Sequence, residues 1–164
     1  MMRKFSEKEK RFVQLIDEHS RLINQICYFY STLNHPFEDL RQEVYISIWK
    51  GLDKFRGDSK ISTFIYRIAV NSVLMVLRSG KTKIETTPLH QLDPELLSTF
   101  DDEQKEKLDC MYQMINSLDE IEKPIILLWL DGKPYEEIAE IVGFNRNTVA
   151  TRISRIKKKL SKLA

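Results

Sequence analysis

The segment from Gly132 to Leu160 constrains the fold most, because it predicts two helices joined by a tight turn. Gly143 can adopt the positive φ that ends the first helix, and Asn145 can cap the second helix through its side-chain oxygen. Apolar residues in the second helix recur at steps of four, three and four, which predicts one buried stripe. That stripe consists of Val149, Ile153, Ile156 and Leu160.

The opposite face of this second helix is polar and basic. It carries Asn147, Thr151, Ser154 and Lys158, flanked by Ala150 and Arg155. Between residues 143 and 164 there are seven Lys or Arg and no acidic residue, whereas residues 109–142 hold two Lys and eight acids. Short polar side chains among cations suit base edges and phosphates in a major groove. DNA binding is therefore the favoured interpretation, and a helical hairpin with a solvated basic face is the alternative.

Helical periodicity also dominates the N-terminal half. One helix face is predicted from Phe12 to Tyr30, and another from Phe37 to Leu52, opened by Pro36 near its N-terminus. A third helix is predicted from about Ser62, a candidate N-cap, with Ile65, Ile68, Ala69, Ser72 and Val76 on its buried side.

The other side of the third helix has an unusual composition. It is predicted to present Thr63, Arg67, Asn71, Leu74 and Arg78, with Phe64 and Tyr66 at its edges. Aromatic and Asn side chains beside Arg can stack on unpaired bases and bond to them. The alternative is that the two aromatic residues complete a small core.

We predict an all-α fold of two small helical domains. The first covers residues 5–79 and contains three or four helices, and the second covers residues 108–164 and carries the helix-turn-helix. A polar, acidic linker is predicted between them, at residues 80–107, with four Lys against seven acidic residues and room for one short helix. Only five Gly and five Pro argue against a turn-rich β protein.

Several classes of protein are disfavoured. Cys27 and Cys110 are far apart and lack CxxC spacing, so we expect neither a disulfide nor a metal site. The three His residues show no metal spacing, and no cofactor or catalytic arrangement is evident. The first residues lack a signal-peptide core, and the longest apolar stretch, Ile68 to Leu77, is too short to span a bilayer. We expect a cytoplasmic protein without enzyme activity or an integral membrane segment.

Three segments in order resemble one protein family. PFEDLRQEVYISIWK, residues 36–50, is similar to the polymerase-binding helix of bacterial sigma factors. FRGDSKISTFIYRIAVNSVLMVLR, residues 55–78, resembles the promoter-melting loop and helix of the extracytoplasmic-function (ECF) subfamily. The motif from Tyr135 to Leu160 resembles the second domain of that subfamily.

The resemblance implies that the chain joins core RNA polymerase and directs it to promoter DNA. An anti-sigma factor is a further partner that the family allows. The residues implied in docking on the polymerase are Asp39, Leu40, Gln42 and Glu43. Those implied at the −10 element are Phe55, Arg56, Asp58, Ser59, Phe64, Arg67 and Asn71. Those implied at the −35 element are Asn147, Ala150, Thr151, Ser154, Arg155 and Lys158, with Arg146 and Arg152 as phosphate clamps.

The sequence departs from the family pattern at three of these sites. Ala150 stands where a basic residue is frequent, Asn145 where Ser is frequent, and Phe64 where Trp is frequent. These changes affect which promoter sequence we expect the protein to recognise. They do not alter the activity that the resemblance implies. Two other classes of function remain to be weighed. One is a stand-alone helix-turn-helix regulator of closed duplex, and the other is an adaptor that binds a protein through Val70 and Leu74.

Overall fold

The computed structural model describes residues 4–80 and 101–163 of the chain. These residues form seven α-helices and no strand, which confirms the predicted all-α fold. The helices are α1 (Glu7–Tyr30), α2 (Phe37–Leu52), α3 (Ile61–Ser79), α4 (Asp102–Asn116), α5 (Glu122–Leu130), α6 (Tyr135–Val142) and α7 (Arg146–Ser161). Most of the predicted linker, residues 81–100, lies outside the described residues, and α4 begins within the remainder.

Helices α1, α2 and α3 pack together around an aliphatic core. Helix α1 begins in a capping box, in which the Ser6 hydroxyl accepts from the Glu9 amide and the Glu9 side chain accepts from the Ser6 amide. Acidic Glu38 and Asp39 lie in the first turn of α2 and complement the helix dipole there. Ile23, Val44 and Ile65 contribute one fully buried side chain from each helix.

Helix α3 differs from its predicted form in two respects. It begins at Ile61 after Lys60, with no side-chain cap, so Ser62 is not the N-cap. Thr63 and Leu74, predicted on the outward face, are buried. The cause is tertiary: α6 of the C-terminal half packs on α3 and covers a face that helical periodicity alone leaves open.

Within the described residues, α3 has the length and composition of a membrane span, with a mean hydropathy of 1.3 over its most apolar window. Half of that window is buried inside the protein. This burial is what a core helix shows, because its apolar side chains are already covered by other helices.

The turn between α6 and α7 follows the sequence prediction closely. Gly143 has φ +79°, and its amide bonds to the carbonyl of Ala139 at 2.9 Å, which ends α6. The Asn145 side chain accepts from the Thr148 amide at 2.8 Å and so caps α7. Val149, Ile153 and Ile156 are buried. These features fix which face of α7 is outward.

The N-terminal helices α1–α3 and the C-terminal helices α4–α7 meet along one interface, here called the seam. Helix α3 packs against α6, and α1 packs against α4 and α5. Phe29 stacks on Tyr112 across the seam, with ring centroids 5.3 Å apart. Polar contacts across it include Thr63 Oγ1 to Glu137 Oε1 at 3.3 Å, the Arg21–Asp131 ion pair, the Tyr30 hydroxyl to the Glu120 carbonyl, and Lys123 Nζ to the Phe29 carbonyl at 3.5 Å.

Candidate nucleic-acid and polymerase surfaces

The outward face of α7 brings the predicted −35 residues together. Asn147, Thr151, Ser154, Arg155 and Lys158 are exposed, and Ala150 is partly exposed at the edge. The Thr151 hydroxyl donates to the Asn147 carbonyl at 2.9 Å, one turn earlier in the helix. Thr151 can therefore contact a ligand through its methyl group and through the lone pairs of its hydroxyl oxygen. A row of short polar groups ending in cations suits readout of base edges in a major groove.

Arg146 and Arg152, predicted as phosphate clamps, already have partners within the protein. Arg146 Nε lies 2.6 Å from Glu136 Oε1, and its guanidinium lies over the ring of Tyr135. A backbone hydrogen bond and the bond from Arg146 lower the pKa of Glu136. Arg152 stacks on Phe144 at 4.7 Å. Both arginines thus brace the turn, and each keeps donors for a phosphate because guanidinium has five N–H groups.

A basic groove lies beside the C-terminal end of α7. Its volume is about 470 Å³, and its lining residues are Ser117, Arg155, Lys158, Lys159, Lys162 and Leu163. Lys159 Nζ donates to the Ser117 carbonyl at 3.2 Å and lies 3.4 Å from a Glu122 oxygen. Lys159 therefore ties α7 to the α4–α5 turn. Arg155 and Lys158 make no ion pair with the described residues, which leaves both available to an anionic partner.

Helix α2 presents a polar face with an apolar centre. Asp39, Gln42 and Glu43 are exposed, as predicted for a docking surface. Leu40 is only 1% exposed and packs in the core, so it supports this surface from beneath and does not touch a partner directly. Ile46, one turn beyond Gln42 and Glu43, is 46% exposed and was missed by the sequence analysis. Its position four residues after Gln42 could have revealed it.

Fewer residues on the outward face of α3 are exposed to solvent than the sequence predicts. Arg67 and Asn71 are exposed and Phe64 is partly exposed, in agreement with their predicted outward positions. Met75 continues this stripe one turn beyond Asn71 and is 66% exposed, and Arg78 ends it. The sequence analysis overlooked Met75, although its i+4 spacing from Asn71 places the two on one face. The stripe combines an aromatic ring, an amide, a thioether and two cations.

The loop before α3 lies against the start of this stripe. Phe55 and Phe64 have ring centroids 4.9 Å apart and form what we call the platform. Gly57 has φ +83°, which turns the loop and leaves Arg56 and Asp58 exposed. Ser59 is partly exposed, with its hydroxyl 3.4 Å from the Lys60 carbonyl. Two tilted, partly exposed rings beside polar groups can receive an unstacked base.

The described residues contain no group of three His, Cys, Asp or Glu side chains placed to hold a metal ion. Cys27 is buried and Cys110 is exposed, each as a free thiol. Burial raises the pKa of Cys27 to about 12, which makes it unreactive at neutral pH.

Two family models match the chain, sigma-70 region 2 over residues 15–82 and sigma-70 region 4 over residues 108–160. The ECF RNA polymerase sigma factor SigW of Bacillus subtilis (strain 168) is 28% identical over 92% of this chain and 87% of its own length. The ECF RNA polymerase sigma-E factor of Escherichia coli (strain K12) is 33% identical over 73% of this chain and 69% of its own length.

Solved structures show the same fold. The sigma factor RpoE of Bartonella quintana, in complex with the anti-sigma factor NepR, superposes with a TM-score of 0.74 at 23% identity. That match covers 94% of this chain and 96% of RpoE. CnrH, in complex with the cytosolic domain of CnrY, superposes with a TM-score of 0.67 at 21% identity over 94% of this chain and 87% of CnrH.

Proposed function

The chain belongs to the ECF family of RNA polymerase sigma factors, which direct promoter-specific initiation, and we propose how its surfaces divide that task. The exposed face of α2 docks on core polymerase. The platform and the α3 stripe open and hold the −10 element, and α7 reads the −35 element. The protein acts in the cytoplasm and catalyses no reaction itself. Residues 5–79 and 108–164 work as its two domains.

The observation that carries this proposal is the presence of two exposed surfaces of different chemistry on one chain. The α7 face consists of short polar groups and cations, which suits the edges of paired bases. The platform with Arg67 and Asn71 offers rings and hydrogen bonds, which suits bases out of the stack. A regulator that binds only closed duplex needs the first surface and has no use for the second. The adaptor alternative loses its site, because Val70 and Leu74 are buried in the seam helix α3.

Docking through α2 follows from its mixture of charge and exposed apolar surface. Asp39 and Glu43 are exposed carboxylates, and Ile46 lies beside them. An apolar contact surrounded by charge gives affinity through burial and orientation through electrostatics. This face suits a basic helical partner such as the polymerase element implied by the family motif.

Promoter binding requires the seam to open. The −35 and −10 elements are about 25 base pairs apart, or roughly 85 Å at 3.4 Å per step. A folded chain of this length has a radius of gyration of only about 15 Å. The 20 residues from 81 to 100 can reach about 70 Å when extended. The two halves therefore separate when each binds its own element.

We also propose an anti-sigma partner for this chain. The two solved structures described above are complexes, one with the anti-sigma factor NepR and one with the cytosolic domain of CnrY. A protein that binds both halves at the seam would hold them together, and would thereby prevent the separation that the promoter demands.

The test is run-off transcription with purified core polymerase and a pool of promoters. We expect promoter-dependent products only when the protein is added. A matched variant, Asp39→Lys with Glu43→Lys, should abolish the products while leaving the fold unchanged by circular dichroism. Absence of any promoter-dependent product with the wild-type protein would refute the proposal.

A further inference from the structure

An acidic side chain lies beside the polar and basic face that α7 presents to DNA. Glu136, in the first turn of α6, places its Oε1 atom 2.6 Å from Nε of Arg146, the first residue of α7. Both side chains are exposed, at 63% for Glu136 and 55% for Arg146. Arg146 directly precedes exposed Asn147 of the proposed −35 surface. The carboxylate therefore lies where the proposed function places the negatively charged DNA backbone.

The contacts of this carboxylate are those that a DNA phosphate would make. Helix α6 follows Pro134 and has no side-chain cap, so the amides of its first turn are available to an anion. The backbone amide of Glu136 and the guanidinium of Arg146 both stabilise the charged carboxylate, which lowers the pKa of Glu136. Helix N-terminal amides and arginine side chains are also common donors to phosphate oxygens. Glu136 thus uses the same donors that a phosphate would need.

The contacts that hold this pair together are weak enough to be exchanged. Besides Glu136, Arg146 contacts the ring of Tyr135, whose centroid lies 5.6 Å away, near the outer limit of a cation–π interaction. An ion pair as exposed as this one contributes little to the stability of a protein. Replacing the carboxylate by a phosphate therefore costs little. Once Arg146 bonds to a phosphate, however, Glu136 is left as an unpaired negative charge that the DNA backbone repels.

We propose that Glu136 competes with the DNA backbone for Arg146 and thereby limits the part of the affinity that does not depend on sequence. Phosphate contacts strengthen binding to every duplex, whereas base contacts strengthen binding only to the correct sequence. A carboxylate that occupies a phosphate donor weakens binding to all duplexes by the same factor. The inference rests on the proposed −35 function of α7 and adds to it a residue that acts through Arg146.

The experiment measures the affinity of the full chain for two duplexes by fluorescence anisotropy over a range of salt concentrations. One duplex carries the −35 element of a promoter found by run-off transcription, and the other carries the same bases in scrambled order. At low salt, Glu136→Gln should bind both duplexes at least about 3-fold more tightly than the wild type, and the ratio of the two affinities should not change. The logarithmic salt slope should steepen by about 0.9, the value for one additional phosphate contact.

Two controls separate this competition from a general effect of charge. Glu140→Gln removes the same charge from an exposed residue one turn later in α6. It should change the affinity by less than about 2-fold and leave the salt slope unchanged, because Glu140 has no contact with Arg146. In a chain that carries Arg146→Gln, Glu136→Gln should lose most of its effect on the affinity and all of its effect on the slope, since the competition requires the arginine.

Each other outcome would overturn the inference. If Glu136→Gln weakens binding or leaves it unchanged, the carboxylate positions Arg146 or has no role, and the −35 function stands. An equal gain from Glu140→Gln, or an undiminished gain without Arg146, would show a general effect of charge. A gain in affinity cannot arise from a folding defect, so the expected result does not depend on a stability control. If the wild type does not prefer the −35 duplex to the scrambled one, the proposed −35 function fails, and the inference fails with it.

Discussion

Lys123 is a buried charge in the seam, and its replacement tests the energetics of that interface. The side chain is only 2% exposed, and its ammonium donates one long bond, at 3.5 Å, to the Phe29 carbonyl at the end of α1. The ring centroid of Tyr30 lies 5.5 Å away. Burial lowers the pKa of Lys123, despite the opposing effect of nearby Glu120. The folded protein therefore disfavours the charged form, even with these contacts.

Lys123→Met should stabilise the folded protein. Methionine has a similar length, no charge and enough flexibility to fill the same space. In the wild type, a buried polar group whose donors are mostly unsatisfied costs about 1–3 kcal/mol. The Lys123→Met variant removes this cost, but it loses the bond to the Phe29 carbonyl and the interaction with the α1 dipole, which together stabilise the wild type by about 1 kcal/mol. We expect a net gain of up to about 2 kcal/mol, or at most roughly 8 °C in Tm for a chain of this size. Urea denaturation at pH 7 gives the free energy directly.

The gain should depend on pH in a defined direction. Below its lowered pKa in the folded protein, Lys123 is charged in both states, so the wild type carries the full penalty there. As the pH rises through the lowered pKa towards 10.5, the folded state releases its proton first, and the wild type gains stability. The difference between variant and wild type should therefore shrink as the pH approaches 10.5. Tyrosine ionisation is common to both proteins and cancels in this difference.

Lys107→Met is the control, because Lys107 is an exposed residue of α4 paired with Glu103. It should change the free energy of unfolding by less than about 0.5 kcal/mol. A Lys123→Met protein that is less stable than the wild type would refute the reasoning. An equal difference at pH 7 and near pH 10 would refute it as well, since the gain would not then come from the charge.

Three further predictions concern the proposed surfaces. Glu43→Lys should weaken binding to core polymerase by about 2–5 kcal/mol through like-charge contact, and wild-type retention in a pull-down would count against the α2 face. Asn71→Ala with Met75→Ala should reduce permanganate reactivity of promoter thymines while −35 duplex binding stays unchanged. Full reactivity would mean that both residues are only exposed to solvent and do not contact the open strand. Arg155→Ala should cost about 1–3 kcal/mol and relax preference at one promoter position, whereas Lys158→Ala should weaken all sequences alike and reduce the salt slope by about 1. Titrations over a −35 library at two salt concentrations check this pair, and a uniform loss for Arg155→Ala would make it a phosphate contact.

The helix-turn-helix was predictable because its determinants are local. Gly143 at positive φ, the Asn145 cap and the buried stripe of α7 all depend on residues within a few positions of one another. Periodicity then fixes the outward face, so the exposed residues of α7 followed from the sequence without knowledge of the rest of the chain.

The exposure of α3 was not predictable in the same way. Periodicity placed Thr63 and Leu74 on the outward side, but packing of α3 against other helices buries them, and Thr63 contacts Glu137 of α6, some seventy residues later. Leu40 shows a related limit: its position in a docking motif did not reveal that its own side chain packs in the core. Met75 was missed for the opposite reason. An apolar residue in a helix is usually predicted to lie in the core, whereas Met75 is exposed. Long-range packing decides whether such residues are buried, and a local sequence pattern does not contain that information.

The account is tested most directly by permanganate reactivity of promoter thymines with core polymerase, with this protein, and with both together. The account predicts reactive thymines in the −10 region only when both are present, because the chain must join the polymerase before its −10 surface can hold open strands. Protection of the duplex by the protein alone, with no reactive thymine after core polymerase is added, would contradict the central claim and would favour a regulator of closed DNA.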